Sequence, residues 1–443
     1  MSNVGAASGT KGHARPLRAR ASEGTGRRSE AGAGRRVGLA LLARPGPAFL
    51  VALAVYLLRA AVAPPRLGPT PFAYFNYLAD AFLHGQLHLR LPTEATRDLV
   101  FYAGQVYLYW PPFPAVVLLP LVALFGVGVS DVLVTVVIGA LTVALIAELL
   151  VVLDRVGLAP LTAERRAILV LTCAFGSVLL IMAPAGTVWS TSQVIGIACV
   201  LLATIAGLKW RGPAGYLAVG VGLGCALATR VGLLFSGVWL AYYLLRRDYR
   251  RPYGPRQWLA LATWAVGPVA LTALLLGWYN VARFGSPLEL GIPWHKMGEL
   301  FREDYARYGM FNLHYLPTNL YYQFVAYRLF TPDQWKGSGL FWMTPVFLGA
   351  LYAVWRDRRD GLVWALVLSA ALIYVPIGLL MGSGFFSFGP RYLLDLFVPL
   401  LVLTARGIRE WRLGVLRVLM YISCATYLLG SIMLLLYDSG VGG

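Results

Sequence analysis

The chain has 443 residues, 58% of them hydrophobic and 13% charged, with a formal net charge of +18 and a mean hydropathy of +0.66. Soluble globular domains carry about 25% charged residues, so this composition excludes an ordinary soluble protein. The apolar runs are continuous rather than alternating, which excludes a transmembrane β-barrel and points to an all-α polytopic membrane protein.

Residues 1–46 hold nine Lys/Arg against two Glu among Gly, Ala and Ser, without apolar periodicity. They are expected to form a disordered, basic cytoplasmic tail attracted to anionic headgroups. Residues 47–437 read as a single transmembrane domain, and 438–443 as a short tail. The apolar segments are 47–63, 112–127, 130–153, 167–184, 191–208, 213–228, 231–245, 258–278, 338–355, 361–381, 391–405 and 414–437. The turns 246–256, 356–360 and 406–412 are strongly basic, so the positive-inside rule makes them cytoplasmic. The loops 64–111 and 279–337 are nearly balanced in charge and rich in aromatics, and they read as external.

That assignment contains a conflict. A cytoplasmic N-terminus and a cytoplasmic 246–256 turn need an even number of crossings between them, yet seven segments intervene. One must fail to cross, with 112–127 and the Arg230-interrupted stretch 213–245 as the suspects, leaving about eleven true helices. The expectation is a multi-pass protein of the inner or plasma membrane, its active face external (periplasmic).

The basic charge therefore marks topology, and no nucleic-acid partner is expected. Cys173, Cys199, Cys225 and Cys424 all lie in apolar segments without close spacing, which predicts neither a disulfide framework nor a metal site.

In the first loop, Phe75, Leu78, Phe82, Leu83 and Leu87 recur at helical spacing, predicting an amphipathic helix along the membrane surface. Asn76, Asp80 and His84 share one face of it, pointing out of the lipid. Taken alone, Asp80 is more simply a carboxylate capping a helix or pairing with an arginine. His84 and His88 are interfacial hydrogen-bonding groups rather than zinc ligands, because no third ligand is fixed near them. Glu94 and Asp98 lie beyond Pro92, with no defined relation to that face. In the second loop, 296–308 and 314–330 predict two surface helices, suited to a lid.

The order of several local patterns resembles the GT-C glycosyltransferases, specifically the branch related to protein O-mannosyltransferases and lipid A aminoarabinose transferases. The patterns are YLADAFLHGQ in the first loop, YLYWPPFPA at the next apolar segment, TVWSTSQ (187–193) and the ATR step at Arg230. WYNVARFGSPLELG (278–291) and FGPRYLLDLFVPLL (388–401) complete the set. The resemblance implies a GT-C-like bundle with two large external loops. It also implies transfer of a sugar from a polyprenyl-phosphate-linked donor to an acceptor hydroxyl, with inversion.

By the same resemblance Asp80 is the general base, since a partly desolvated carboxylate has a raised pKa suited to taking a hydroxyl proton. The leaving lipid phosphate needs cations, for which arginine is the natural residue. Arg391, Arg230, Arg283 and Lys336 are the candidates, with His295, Lys296 and His314 as weaker ones. Asn76, His84, Tyr107, Tyr109, Trp110 and His314 are the candidate substrate-pocket residues, although aromatics at this depth also read as interfacial belt.

Two departures from the family pattern matter. Trp110 stands where relatives often carry a lysine before the Pro-Pro pair. Ala79, Ala81 and Phe82 leave Asp80 without a second acid, so metal-independent chemistry and no cofactor are expected. A transporter or flippase is the competing class, as is a non-catalytic membrane scaffold. The sugar and the acceptor are left open.

Overall fold

A computed structural model describes residues 40–296, 298, 301–326, 338–382 and 388–438. The tail predicted over 1–46 lies almost wholly outside the described residues. Within them the chain is a helical bundle with a single two-stranded sheet, and six helices are long and apolar enough to cross a bilayer.

Side-chain ties sort the helix ends onto two faces. α1 (Pro45–Val62) leads into the first loop, which carries α2 (Tyr74–Leu83), a hairpin of β1 (Leu99–Tyr102) and β2 (Gln105–Leu108), and α3 (Phe113–Phe125). α4 (Asp131–Arg155) starts on the same face as the end of α1. There the Thr70 backbone N–H and hydroxyl donate to the Asp131 carboxylate at 2.8 and 2.6 Å. Ser130, which caps α4 by accepting from the Leu133 N–H, also donates to the Gly68 carbonyl.

α3 therefore begins and ends on one face. Its end is fixed by Asn76, whose amide donates to the Val127 and Val129 carbonyls at 3.0 and 2.6 Å. This resolves the parity conflict: 112–127 is the segment that does not cross.

The opposite face gathers the basic turns. α5 (Ala163–Phe175) starts there, with the Arg165 guanidinium donating to the Trp411 carbonyl at 2.8 Å. After a short α6 (Leu179–Met182), α7 (Val188–Lys209) returns to this face, and Lys209 pairs with Glu148 of α4 at 2.9 Å. α8 (Gly212–Leu227) climbs to Arg230, where a 3-10 turn (Val231–Ser236) precedes α9 (Gly237–Asp248). Arg247 donates back to the Gly207 and Trp210 carbonyls at 2.7 and 3.0 Å. α10 (Pro255–Phe284) leaves the basic face as a 30-residue helix, about 45 Å long, and Gly285 in the left-handed region stops it.

Small residues let these helices approach. A Cβ on Gly220 or Gly224 would meet α10 at 2.4 Å (Ala265 carbonyl) and 2.7 Å (Thr272 hydroxyl), whereas one on Gly222 would meet Ala203 of α7 at 2.7 Å. Glycines thus let α8 pack closely on both sides, as is common between helices in lipid.

The second loop carries α11 (Arg302–Tyr308) and α12 (Leu316–Leu320), shorter than the helices read over 296–308 and 314–330. The bundle closes with α13 (Leu340–Met343), α14 (Leu348–Arg356), α15 (Gly361–Leu379), α16 (Phe397–Gly407) and α17 (Leu413–Asp438). Taking these ties together with the basic turns, we count eleven helical segments between the loop face and the basic face among the described residues, six of them long and apolar enough to cross alone. A side-specific labelling experiment checks this count. Glu94→Cys and Gly128→Cys should react with an impermeant maleimide from one side of a vesicle, and Arg358→Cys from the other. Labelling of Gly128→Cys together with Arg358→Cys would make α3 a crossing.

Two local expectations are corrected. α2 does not present a polar face outward: Tyr74, Phe75, Leu78 and Ala79 are buried in a sub-core with Leu108, Trp110, Leu118 and Val188, and Asn76, Asp80 and Ala81 are buried as well. The β1–β2 hairpin was not expected. Its signal was the Ala103-Gly104 pair, both with positive φ, between two short β-favouring runs.

Candidate active site

The hairpin positions a carboxylate that the sequence left unassigned. Asp98 directly precedes β1 with φ of 64°, a left-handed conformation that aspartate tolerates better than most residues. The Asp98 N–H donates to the Lys296 carbonyl at 3.1 Å, and the Lys296 N–H to the Leu99 carbonyl at 2.8 Å. With a bridge between Val100 and His295, the second loop pairs with β1 and brings His295 over Asp98.

Around Asp98 the first loop, the second loop and two helices converge. The Trp189 indole N–H at the start of α7 donates to Asp98 Oδ2 at 3.1 Å. His295 Nε2 lies 3.5 Å from Asp98 Oδ1, with only 6% of its side chain exposed. Among the described residues Nδ1 has no hydrogen-bond partner, so this buried ring keeps hydrogen-bonding capacity for a bound group. The His295 ring meets Tyr109 edge-on at 4.9 Å, and Tyr109 lies against Trp110 at 3.8 Å.

Burial pushes the Asp98 carboxyl above the ordinary carboxylate range, against the opposing pull of His295, the Trp189 hydrogen bond, Arg391 and Arg97. Burial likewise lowers His295, with Asp98 opposing. Burial and then the Asp98 charge raise the Tyr109 phenol.

Arg391 is the cation of this neighbourhood. It opens a 3-10 turn (Arg391–Leu396) after Pro390, and its carbonyl accepts from Gln193 of α7 at 3.0 Å. Its guanidinium lies 5.0 Å from the Tyr392 ring centroid and reaches only the Tyr392 hydroxyl, at 3.5 Å, among the described residues. No carboxylate among the described residues pairs with it, although it feels Asp98 and Tyr109 electrostatically.

The other sequence candidates fall elsewhere. Asp80 is bound by Arg90, with Nε 3.1 Å from Oδ2 and a second nitrogen 3.4 Å from Oδ1. His84 sits on the same face, its Nδ1 2.8 Å from the Asp80 carbonyl, and Asn76 clamps the end of α3. The Asn76–Asp80–His84 column exists, but its described contacts join α2 to Arg90 and to the end of α3 rather than to Arg391.

Arg283 spends its donors internally, on the Leu108 and Tyr279 carbonyls and Asn280 Oδ1, and covers the Tyr279 ring at 3.7 Å. It ties the hairpin to α10 through three of its five N–H groups. Arg230 is claimed by Asp395, with Nε and a terminal nitrogen 2.8–2.9 Å from the carboxylate. Tyr107 packs in the hairpin against Phe284 at 5.2 Å, and exposed His314 stacks on Tyr308 at 3.9 Å. Lys336 lies outside the described residues. Among the described residues no three His, Cys, Asp or Glu side chains gather as a metal site.

No protein-family model and no curated protein matches the chain. The chain is similar in structure to two membrane proteins. One is ArnT of Cupriavidus metallidurans bound to undecaprenyl phosphate, at 17% identity and a TM-score of 0.48, covering 87% of this chain and 62% of that one. The other is the Archaeoglobus fulgidus oligosaccharyltransferase AglB with an inhibitory peptide and a dolichol-phosphate, at 14% identity and a TM-score of 0.43, covering 89% and 56%. The chain spans about three fifths of the length of these proteins.

Proposed function

We propose that this chain is a membrane glycosyltransferase that moves a sugar from a polyprenyl-phosphate carrier to an acceptor hydroxyl at the loop face. The observation that carries the reading is a desolvated carboxylate, Asp98, within the electrostatic reach of Arg391, an arginine without a carboxylate partner among the described residues. In this reading Asp98 takes the proton of the acceptor hydroxyl as its oxygen attacks the anomeric carbon. The bond from that carbon to the phosphate oxygen breaks, and its electron pair leaves with the lipid phosphate beside Arg391. A single carboxylate acting as base implies inversion. Buried His295 faces Asp98 through Nε2, and its Nδ1 is placed to hydrogen-bond a sugar hydroxyl or the phosphate.

This assigns the base to Asp98 in place of Asp80, whose carboxylate is already paired with Arg90. The test is transfer from a radiolabelled polyprenyl-phosphate sugar in proteoliposomes. A new glycoside lost on Arg391→Gln supports the reading. Donor movement between leaflets without a glycoside would instead make the chain a flippase.

The pH dependence is a further expected outcome. Transfer requires ionised Asp98, so activity falls as pH drops through its raised pKa, and the acid limb lies above the ordinary value of about 3.9. Trp189→Phe removes a hydrogen bond that favours the charged form, so the limb should move to higher pH. A limb unmoved by Trp189→Phe would take Asp98 out of the reaction.

A further inference from the structure

A recess lies on the basic face, opposite the site above. It encloses about 970 Å³ between the ends of α9, α14, α15 and α16 and includes Tyr242, Trp355 and Gly361. Five arginines line it, Arg246, Arg356, Arg358, Arg359 and Arg406, against two carboxylates, Asp357 and Asp360.

The two carboxylates are already engaged. Arg356 and Arg406 both bond Asp357, at 2.8 and 3.1 Å, and Arg356 first among them holds its carboxyl down at about 2. Asp360 takes Arg406 at 2.8 Å and Arg246 at 2.7 Å while capping α15 through the Leu362 N–H. α14 and α16 touch closely enough to build this frame, since a Cβ on Gly407 would sit 1.8 Å from the Gly349 carbonyl oxygen. Arg358 and Arg359 remain exposed at the rim, without a carboxylate partner among the described residues.

We propose that this recess binds the phosphate of an anionic phospholipid headgroup in the leaflet at the basic face, with Arg358 and Arg359 as the contacting cations. The charge is the complement of a phosphodiester, and the fixed Arg356–Asp357–Arg406–Asp360 frame holds the turn that presents it. The source is a lipid because the turn is flanked by Trp355 and Trp364, 63% and 52% exposed. Tryptophans so placed mark the water–hydrocarbon boundary. The Trp364 indole N–H donates to the Arg358 carbonyl at 2.8 Å, which fixes the arginine turn at that level. Basic recesses between helix ends at this depth suit phospholipid headgroups.

Native mass spectrometry of the purified full chain in detergent tests this, titrated with phosphatidylglycerol, with phosphatidylcholine of the same acyl chains and with inorganic phosphate. Phosphatidylglycerol should be retained in preference to phosphatidylcholine. The Arg358→Ala/Arg359→Ala variant should bind it roughly 30-fold more weakly, at the usual contribution per basic residue near a membrane. Arg358→Lys/Arg359→Lys should keep most of the affinity. Arg66→Ala/Arg307→Ala, which removes equal charge on the loop face, should leave it unchanged. Equal retention of the two lipids, or undiminished binding by the alanine variant, overturns the proposal. Inorganic phosphate displacing phosphatidylglycerol at matched concentration overturns the lipid assignment. The readout is binding rather than transfer, so its outcome is separate from that of the transferase reading.

Discussion

Asp98→Asn should reduce sugar transfer by about 10²–10⁴-fold, the usual contribution of a positioned general base, without lowering the thermal midpoint. The second half of this expectation follows from sign. The folded-state pKa of Asp98 is raised, so the fold favours its protonated form. Its contribution to stability is complete below the unfolded pKa and is lost as pH rises through the folded one. At neutral pH the ionised side chain is therefore a cost to the fold, which a neutral amide removes.

Asp80→Asn should behave in the opposite way. It breaks a pair whose Arg90 side chain is 36% exposed, which costs about 1 kcal/mol or less, and most of the transfer should remain. Parallel transfer assays and thermal scans of the two variants check both halves. If Asp80→Asn abolishes transfer and Asp98→Asn spares it, the base is on α2 and the hairpin is only scaffolding.

The two aspartates also show how far the sequence could be read. Hydropathy and basic turns located every long helix, because length and charge act locally and bilayer thickness is a fixed ruler. The parity conflict at 112–127 was visible as well, but its solution needed the Asp131–Thr70 and Asn76–Val129 ties, which join residues 53 to 61 positions apart. Asp80 drew notice because it sits on a helix, where spacing predicts neighbours. Asp98 did not, because its partners arrive from α7 and from the second loop, 91 and nearly 200 positions away. The available signals were the Ala103-Gly104 turn and the TVWSTSQ step, which together bring Asp98 to Trp189. Arg391 drew notice from its place at a loop-to-span boundary. Arg283 and Arg230 resembled it in sequence, and the structure sets them apart by their partners among the described residues.

Arg230→Met should lower stability by about 3–5 kcal/mol, the largest structural effect expected in the chain. Asp395 has a side chain only 5% exposed, and the change leaves its carboxylate without a cation. Asp395→Leu added to it should restore most of the loss, because a packed apolar pair needs no charge compensation. Thermal unfolding of single and double variants in detergent measures this. The cycle also decides function, because Asp395 belongs to the 3-10 turn that begins with Arg391. If Arg230 only anchors that turn, the double variant regains both stability and binding of polyprenyl phosphate. If it regains stability while binding stays lost, Arg230 itself holds the lipid phosphate, and the pair with Asp395 is a resting state that the donor displaces.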